Sequence, residues 1–118
     1  MKLKNILIVV NDIEKSKSFY RDLFGLQVLM DMGENVIMTE GLVLQEKKLW
    51  ESFTGKRVVS GGHDGELYFE ETDMDGFLRK LEESNFEITY VNLLEEVAGH
   101  RIVRLYDLDG HVIEVKEV

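Results

Sequence analysis

Four polar side chains stand at matching places in a sequence that repeats itself once. Asn5 and Glu66 open an apolar segment in each half, and Gln45 and Glu114 close one. Two carboxylates can move a proton or attract a cation, and two side-chain amides add groups that orient a bound molecule. Composition removes other chemistries. The chain has no cysteine, so it forms no disulfide and has no thiolate nucleophile or thiolate metal ligand. Neither a glycine-rich phosphate loop nor a serine-nucleophile motif occurs. The histidines do not form a set. His63 lies in the connector sequence Ser60-Gly61-Gly62-His63-Asp64-Gly65, where a solvated side chain is expected. His111 alternates with Ile113 rather than with Glu114, which points it away from the polar row. His100, after Gly99, is the candidate for a loop contact or a proton shuttle.

The elements that must position these groups follow from the repeat. The first copy starts at Asn5-Ile6-Leu7-Ile8-Val9-Val10, enters a helix through Asn11-Asp12-Ile13-Glu14 and closes on Gly41-Leu42-Val43-Leu44-Gln45. The second starts at Glu66-Leu67-Tyr68-Phe69-Glu70-Glu71, enters a helix through Thr72-Asp73-Met74-Asp75 and closes on Gly110-His111-Val112-Ile113-Glu114. The copies differ in span, 45 − 5 = 40 against 114 − 66 = 48 residues, and the extra length falls in an expected loop around Asn92 to Gly99. A long period present only twice indicates a duplicated module rather than a solenoid.

Asp12 and Asp73 are placed as N-caps, and Gly25 and Asn85 as left-handed stops. After each helix come three extended segments: Leu26 to Met30, Val36 to Thr39 and Leu42 to Gln45, then Phe86 to Tyr90, Arg101 to Tyr106 and His111 to Val115. Each half therefore reads strand, helix, strand, strand, strand, an α+β arrangement of two tandem βαβββ modules. Alternation puts Ile6, Ile8, Val10, Leu42, Leu44, Leu67, Phe69, Ile113 and Val115 on a face that should lie under the helices. The opposite face carries Asn5, Gln45, Glu66, Tyr68, Glu70 and Glu114 among apolar residues, the mixed character of a ligand cleft.

At 118 residues and 44% apolar content the chain is sized for a single domain, 1–118: module one 1–46, a connector 47–64 and module two 65–118. No apolar run approaches a membrane span, and no signal peptide is evident, so a cytoplasmic location is expected. A net charge of −9 argues against nucleic acid or anionic membrane as a partner and favours a cationic ligand if acidic groups line a cleft.

The stretch Ile8-Val9-Val10-Asn11-Asp12-Ile13-Glu14-Lys15-Ser16-Lys17-Ser18-Phe19-Tyr20, followed by Leu23-Phe24-Gly25-Leu26, resembles the first module of the glyoxalase, bleomycin-resistance and extradiol dioxygenase superfamily, also called the vicinal oxygen chelate fold. Asp107-Leu108-Asp109-Gly110-His111-Val112-Ile113-Glu114-Val115 resembles its closing hairpin, with Leu108 in place of the usual proline. The resemblance covers nearly the whole chain and implies a curved mixed sheet with helices on its convex face and a cleft on its concave face. It also implies a homodimer. Metal ligands in that superfamily come from strand positions that look like Asn5, Gln45, Glu66 and Glu114 here. Only Glu114 is the usual residue. An oxygen-only set of this kind suits manganese or magnesium, weakly held, better than zinc or nickel, which prefer imidazole. Asn5, Gln45 and Glu66 can equally be a hydrogen-bonded polar floor with no metal.

Trp50 in the connector is a candidate aromatic lid or a core anchor, and Tyr68, Glu70 and Arg104 are candidate ligand contacts. Arg104 is either a partner for a substrate anion or an internal ion-pair partner. Two functions follow. One is binding of a cationic or aromatic small molecule in an acidic cleft with a degenerate metal site and no cofactor. The other is a divalent-metal-dependent lyase or isomerase of the glyoxalase type, with Glu114 moving a proton. A thiol transferase acting on an antibiotic epoxide ranks below both, because the expected histidines are missing.

Overall fold

The computed structural model describes residues 1–118. Its elements run β1 (Ile6–Val10), α1 (Ile13–Phe24), β2 (Val28–Asp31), β3 (Asn35–Met38), β4 (Leu42–Glu46), α2 (Lys47–Thr54), β5 (Glu66–Glu71), α3 (Met74–Glu83), β6 (Glu95–Val97), β7 (His100–Tyr106) and β8 (Val112–Glu117). They fall into two compact units, Met1–Val59 and Ser60–Val118. Each unit holds a four-stranded mixed sheet, ordered β1-β4-β3-β2 in the first and β5-β8-β7-β6 in the second. This is the tandem βαβββ arrangement.

In the first unit Asp12 caps α1 by accepting from the Lys15 amide at 3.1 Å, and Gly25 ends it at φ 69°. A side chain at Gly25 would be strained there, which is why glycine terminates the helix. The helix buries Ile13, Phe19, Tyr20 and Leu23. Phe19 meets Tyr20 edge-on, with ring centroids 5.3 Å apart. β1 pairs in parallel with β4, Ile8 beside Leu44, so the alternate residues Ile8, Val10, Leu42 and Leu44 lie on one face, where they are buried with Val36 and Met38. Each such side chain contributes about 1.5–3 kcal/mol relative to exposure. Ile6, expected among them, is exposed at the open end of β1. The segment expected as a plain connector begins with α2, whose N-cap is Glu46 and whose left-handed C-cap is Gly55. A glutamate cap is outside the usual Ser, Thr, Asp and Asn set, so the start of this short helix carries a weak sequence signal.

In the second unit Asp73 caps α3 by accepting from the Gly76 amide at 3.0 Å. The helix stops at Glu83, not through a left-handed Asn85. Ser84 is extended, and its hydroxyl accepts from the Phe86 amide at 3.0 Å, so a side-chain turn takes the role assigned to Asn85. Phe86 to Tyr90 does not form the expected strand either. Tyr90 makes a single bridge to Leu105, and the regular pairing starts only at Glu95 beside Ile102, inside the segment expected as a loop. Continued from Tyr90–Leu105, the register would set Leu93 beside Ile102, so two residues are looped out before β6. β6 and β7 then join through Ala98 and Gly99, both at positive φ, 52° and 80°, the signature of a type I′ hairpin. No helix is long and apolar enough to cross a membrane.

Candidate functional site

The second sheet has two chemically different faces. Arg101, on β7, donates to Glu117 of β8 and to Asp75 of α3, which identifies the face α3 covers. The opposite face carries Glu66, Tyr68 and Glu70 on β5, Val112, Glu114 and Lys116 on β8, and Ile102, Arg104 and Tyr106 on β7. Register sets Tyr68 beside Glu114 and Glu114 beside Arg104, so one row crosses three strands. Glu95 on β6 extends it.

The row is hydrogen-bonded. Arg104 Nε donates to Glu114 Oε1 at 2.8 Å, and Arg104 Nη1 donates to Glu95 Oε1 at 2.8 Å. Burial opposes the Arg104 charge, but the Glu114 and Glu95 carboxylates outweigh it and raise the guanidinium above its ordinary pKa. Tyr68 Oη donates to Glu70 Oε2 at 3.1 Å. Partial desolvation, the bond to Glu70 and the nearby charges of Glu70 and Glu114 raise the phenol, which keeps its proton at neutral pH. The Tyr68 residue is nonetheless 49% exposed, and Glu66 and Glu70 are exposed. The sheet therefore presents an aromatic ring flanked by carboxylates.

The hairpin that carries β7 into β8 is organised by Asp107, whose side chain is 1% exposed. Its Oδ1 accepts from the amides of Asp109 and His111, each at 2.9 Å, and its Oδ2 contacts His111 Nδ1 at 2.7 Å. The Asp107 bond raises the His111 imidazole above its ordinary pKa despite burial. His111 is thus engaged inside the turn. His100 Nδ1 meets the Glu117 carbonyl at 3.0 Å, a backbone contact rather than a loop contact. The His63 ring lies 5.7 Å from that of Tyr106, tilted by 33°, so this exposed histidine rests beside an aromatic instead of being solvated all round.

In the first unit Gln45 is 5% exposed and both ends of its amide are used. Its Oε1 accepts from Asn35 Nδ2 at 2.8 Å and its Nε2 donates to the Glu34 carbonyl at 3.1 Å. Asn5 is exposed just before β1. Trp50, assigned to a connector, sits half-buried in α2, where its carbonyl accepts from the Thr54 hydroxyl. Glu46 is held below the usual carboxylate range by the amides of Leu49 and Lys48, a helix cap rather than a free acid.

Of the residues singled out in the sequence, Glu66, Tyr68, Glu70, Arg104 and Glu114 share one face of one sheet. Sequence reasoning missed Glu95 and Asn35. Glu95 lay in an expected loop, and Asn35 just outside an expected strand; its facing position to Gln45 in the β3–β4 register was the signal that could have found it. Two of the four candidate ligands are already engaged: Gln45 Oε1 accepts from Asn35 and Glu114 Oε1 from Arg104, so a metal at either would compete with a protein contact. No group of three or more His, Cys, Asp or Glu side chains is gathered in metal-holding geometry.

The glyoxalase-like domain family matches residues 3–118. A protein of unknown function from Agrobacterium tumefaciens is 36% identical, with 100% of this chain and 94% of that one covered and a TM-score of 0.81. A fosfomycin resistance protein, FosX, from Listeria monocytogenes is 14% identical over 100% of this chain and 93% of its own, TM-score 0.73. A lactoylglutathione lyase from Agrobacterium tumefaciens is 23% identical over 98% and 92%, TM-score 0.70. At such identities these last two share the fold. No match was found among curated proteins.

Proposed function

Because this chain belongs to the glyoxalase-like domain family, a fold whose members differ in chemistry, we propose that it binds a small cationic aromatic molecule and does so without a metal. The observation that carries this reading is the exposed Tyr68 ring between the Glu66 and Glu70 carboxylates, on the face where Glu114 is neutralised by Arg104. An aromatic face attracts a cationic ring by stacking and cation–π interaction, and adjacent carboxylates supply the counter-charge. The net charge of −9 draws a cation toward the protein from a distance.

The alternative is a divalent-metal-dependent lyase or isomerase. It is favoured by Glu114, the one metal-position residue of the usual type, and opposed by the Arg104 contact that occupies it. The test is a panel of cationic aromatic drugs and dyes, screened by thermal shift in the presence of a chelator and followed by calorimetry. At least one compound is expected to bind with micromolar affinity. Tyr68→Ala and Glu70→Gln should each weaken it about tenfold, the scale of a lost stacking or charge contact. Absence of binding across the panel, or binding indifferent to both substitutions, overturns the reading.

A further inference from the structure

We infer that Arg104 is the resident cation of the Glu114 face and that it makes this protein refuse divalent metal. The guanidinium joins two carboxylates from different strands, with Nε on Glu114 and Nη1 on Glu95, each at 2.8 Å. Both contacts are made at one planar group, so the two acceptor oxygens converge on one positive centre, as they would on an ion. Glu114 has only 15% of its side chain exposed, and Arg104 25%. A carboxylate this enclosed needs a partner charge, and the chain supplies one that cannot dissociate.

A divalent ion on Glu114 would have to displace that guanidinium or sit against its positive charge. The other polar groups on this face are Glu66, Tyr68, Glu70, Glu95, Tyr106 and Lys116, and Tyr68 already donates to Glu70. None of these strand residues offers imidazole, and the neighbouring His63 ring rests beside Tyr106. The engagement of Gln45, whose amide bonds Asn35 and the Glu34 carbonyl, is thus matched in the other unit by an acid paired through one oxygen with an arginine. Refusal of metal holds whichever ligand the face takes, and it can be tested without that ligand.

The test is titration of the full chain with Mn²⁺, read from the free-ion signal by electron paramagnetic resonance. Wild-type protein should show no saturable binding below millimolar concentrations. Arg104→Met, which keeps an apolar stem and removes the guanidinium charge, should bind Mn²⁺ at least tenfold more tightly. The gain should vanish in Arg104→Met with Glu114→Gln, and Arg104→Lys, which keeps the charge, should behave as wild type. Circular dichroism checks that each variant is folded, and Arg104→Gln replaces the Met variant if that one is not. One equivalent of Mn²⁺ bound by the wild type at micromolar concentration overturns the inference. So does a folded, uncharged variant that binds no more tightly than wild type.

Discussion

Replacing Asp107 by alanine tests whether the β7–β8 hairpin is held by one buried carboxylate. The side chain accepts two backbone amides at 2.9 Å and contacts His111 Nδ1 at 2.7 Å. At 1% exposure water does not compete for those bonds. Alanine would leave both amides without their acceptor, and a hydrogen bond to a charged group contributes roughly 1.5–3 kcal/mol, with losses at neighbouring sites not fully additive. The expected cost is therefore about 3–4 kcal/mol. An asparagine in its place would keep an oxygen for the amides but set an uncharged NH2 group opposite His111, so Asp107→Asn should cost about 1–2 kcal/mol. Urea denaturation at pH 6, followed by far-ultraviolet circular dichroism, gives both values from the midpoints at constant slope. The hairpin also sets the register that brings Arg104 beside Glu114. A cost below about 1 kcal/mol for Asp107→Ala would refute the reasoning, since the amides would then have found other acceptors.

The His111 imidazole is raised by its bond to Asp107, and the sign of its effect on stability follows. A group with a higher pKa in the folded state than in the unfolded state stabilises fully below its unfolded value of about 6.5, and that contribution is lost as pH rises through the folded value. Wild-type urea stability should fall over this window just above pH 6.5, and the fall should be absent in His111→Gln; an identical pH profile in the two proteins would remove the imidazole from the account. At the β6–β7 turn, Ala98 stands at φ 52° where asparagine is better tolerated. Ala98→Asn should stabilise the protein by about 0.5–1 kcal/mol, seen as a higher melting temperature; a lower one would show that the turn is not of type I′.

Much of the fold was legible because its signals are local. Asp12, Asp73 and Gly25 act on amides and carbonyls within a few residues, so their roles could be assigned without knowing what packs above them. The alternation in β5 and β8 likewise sorted Glu66, Tyr68, Glu70 and Glu114 onto one face. Misses fell where a local signal was weak or overruled. Phe86 to Tyr90 has strand-forming residues, yet the edge of β7 is met at Tyr90 and taken up in register again only at Glu95, a matter of pairing that no local propensity encodes. The start of α2 was hidden behind a glutamate cap.

The sequence by itself determined the duplicated βαβββ plan, most of the residues under the helices, Ile6 excepted, and the β5 and β8 members of one polar row, because each depends on periodicity along the chain. Tertiary structure alone decided what those polar groups do. Arg104 reaches Glu114 across ten residues and Glu95 across nine, and Gln45 reaches Asn35 across ten, contacts set by strand register rather than by spacing. An acid that reads as a metal ligand or a base becomes, once its neighbour on the next strand is known, half of an ion pair.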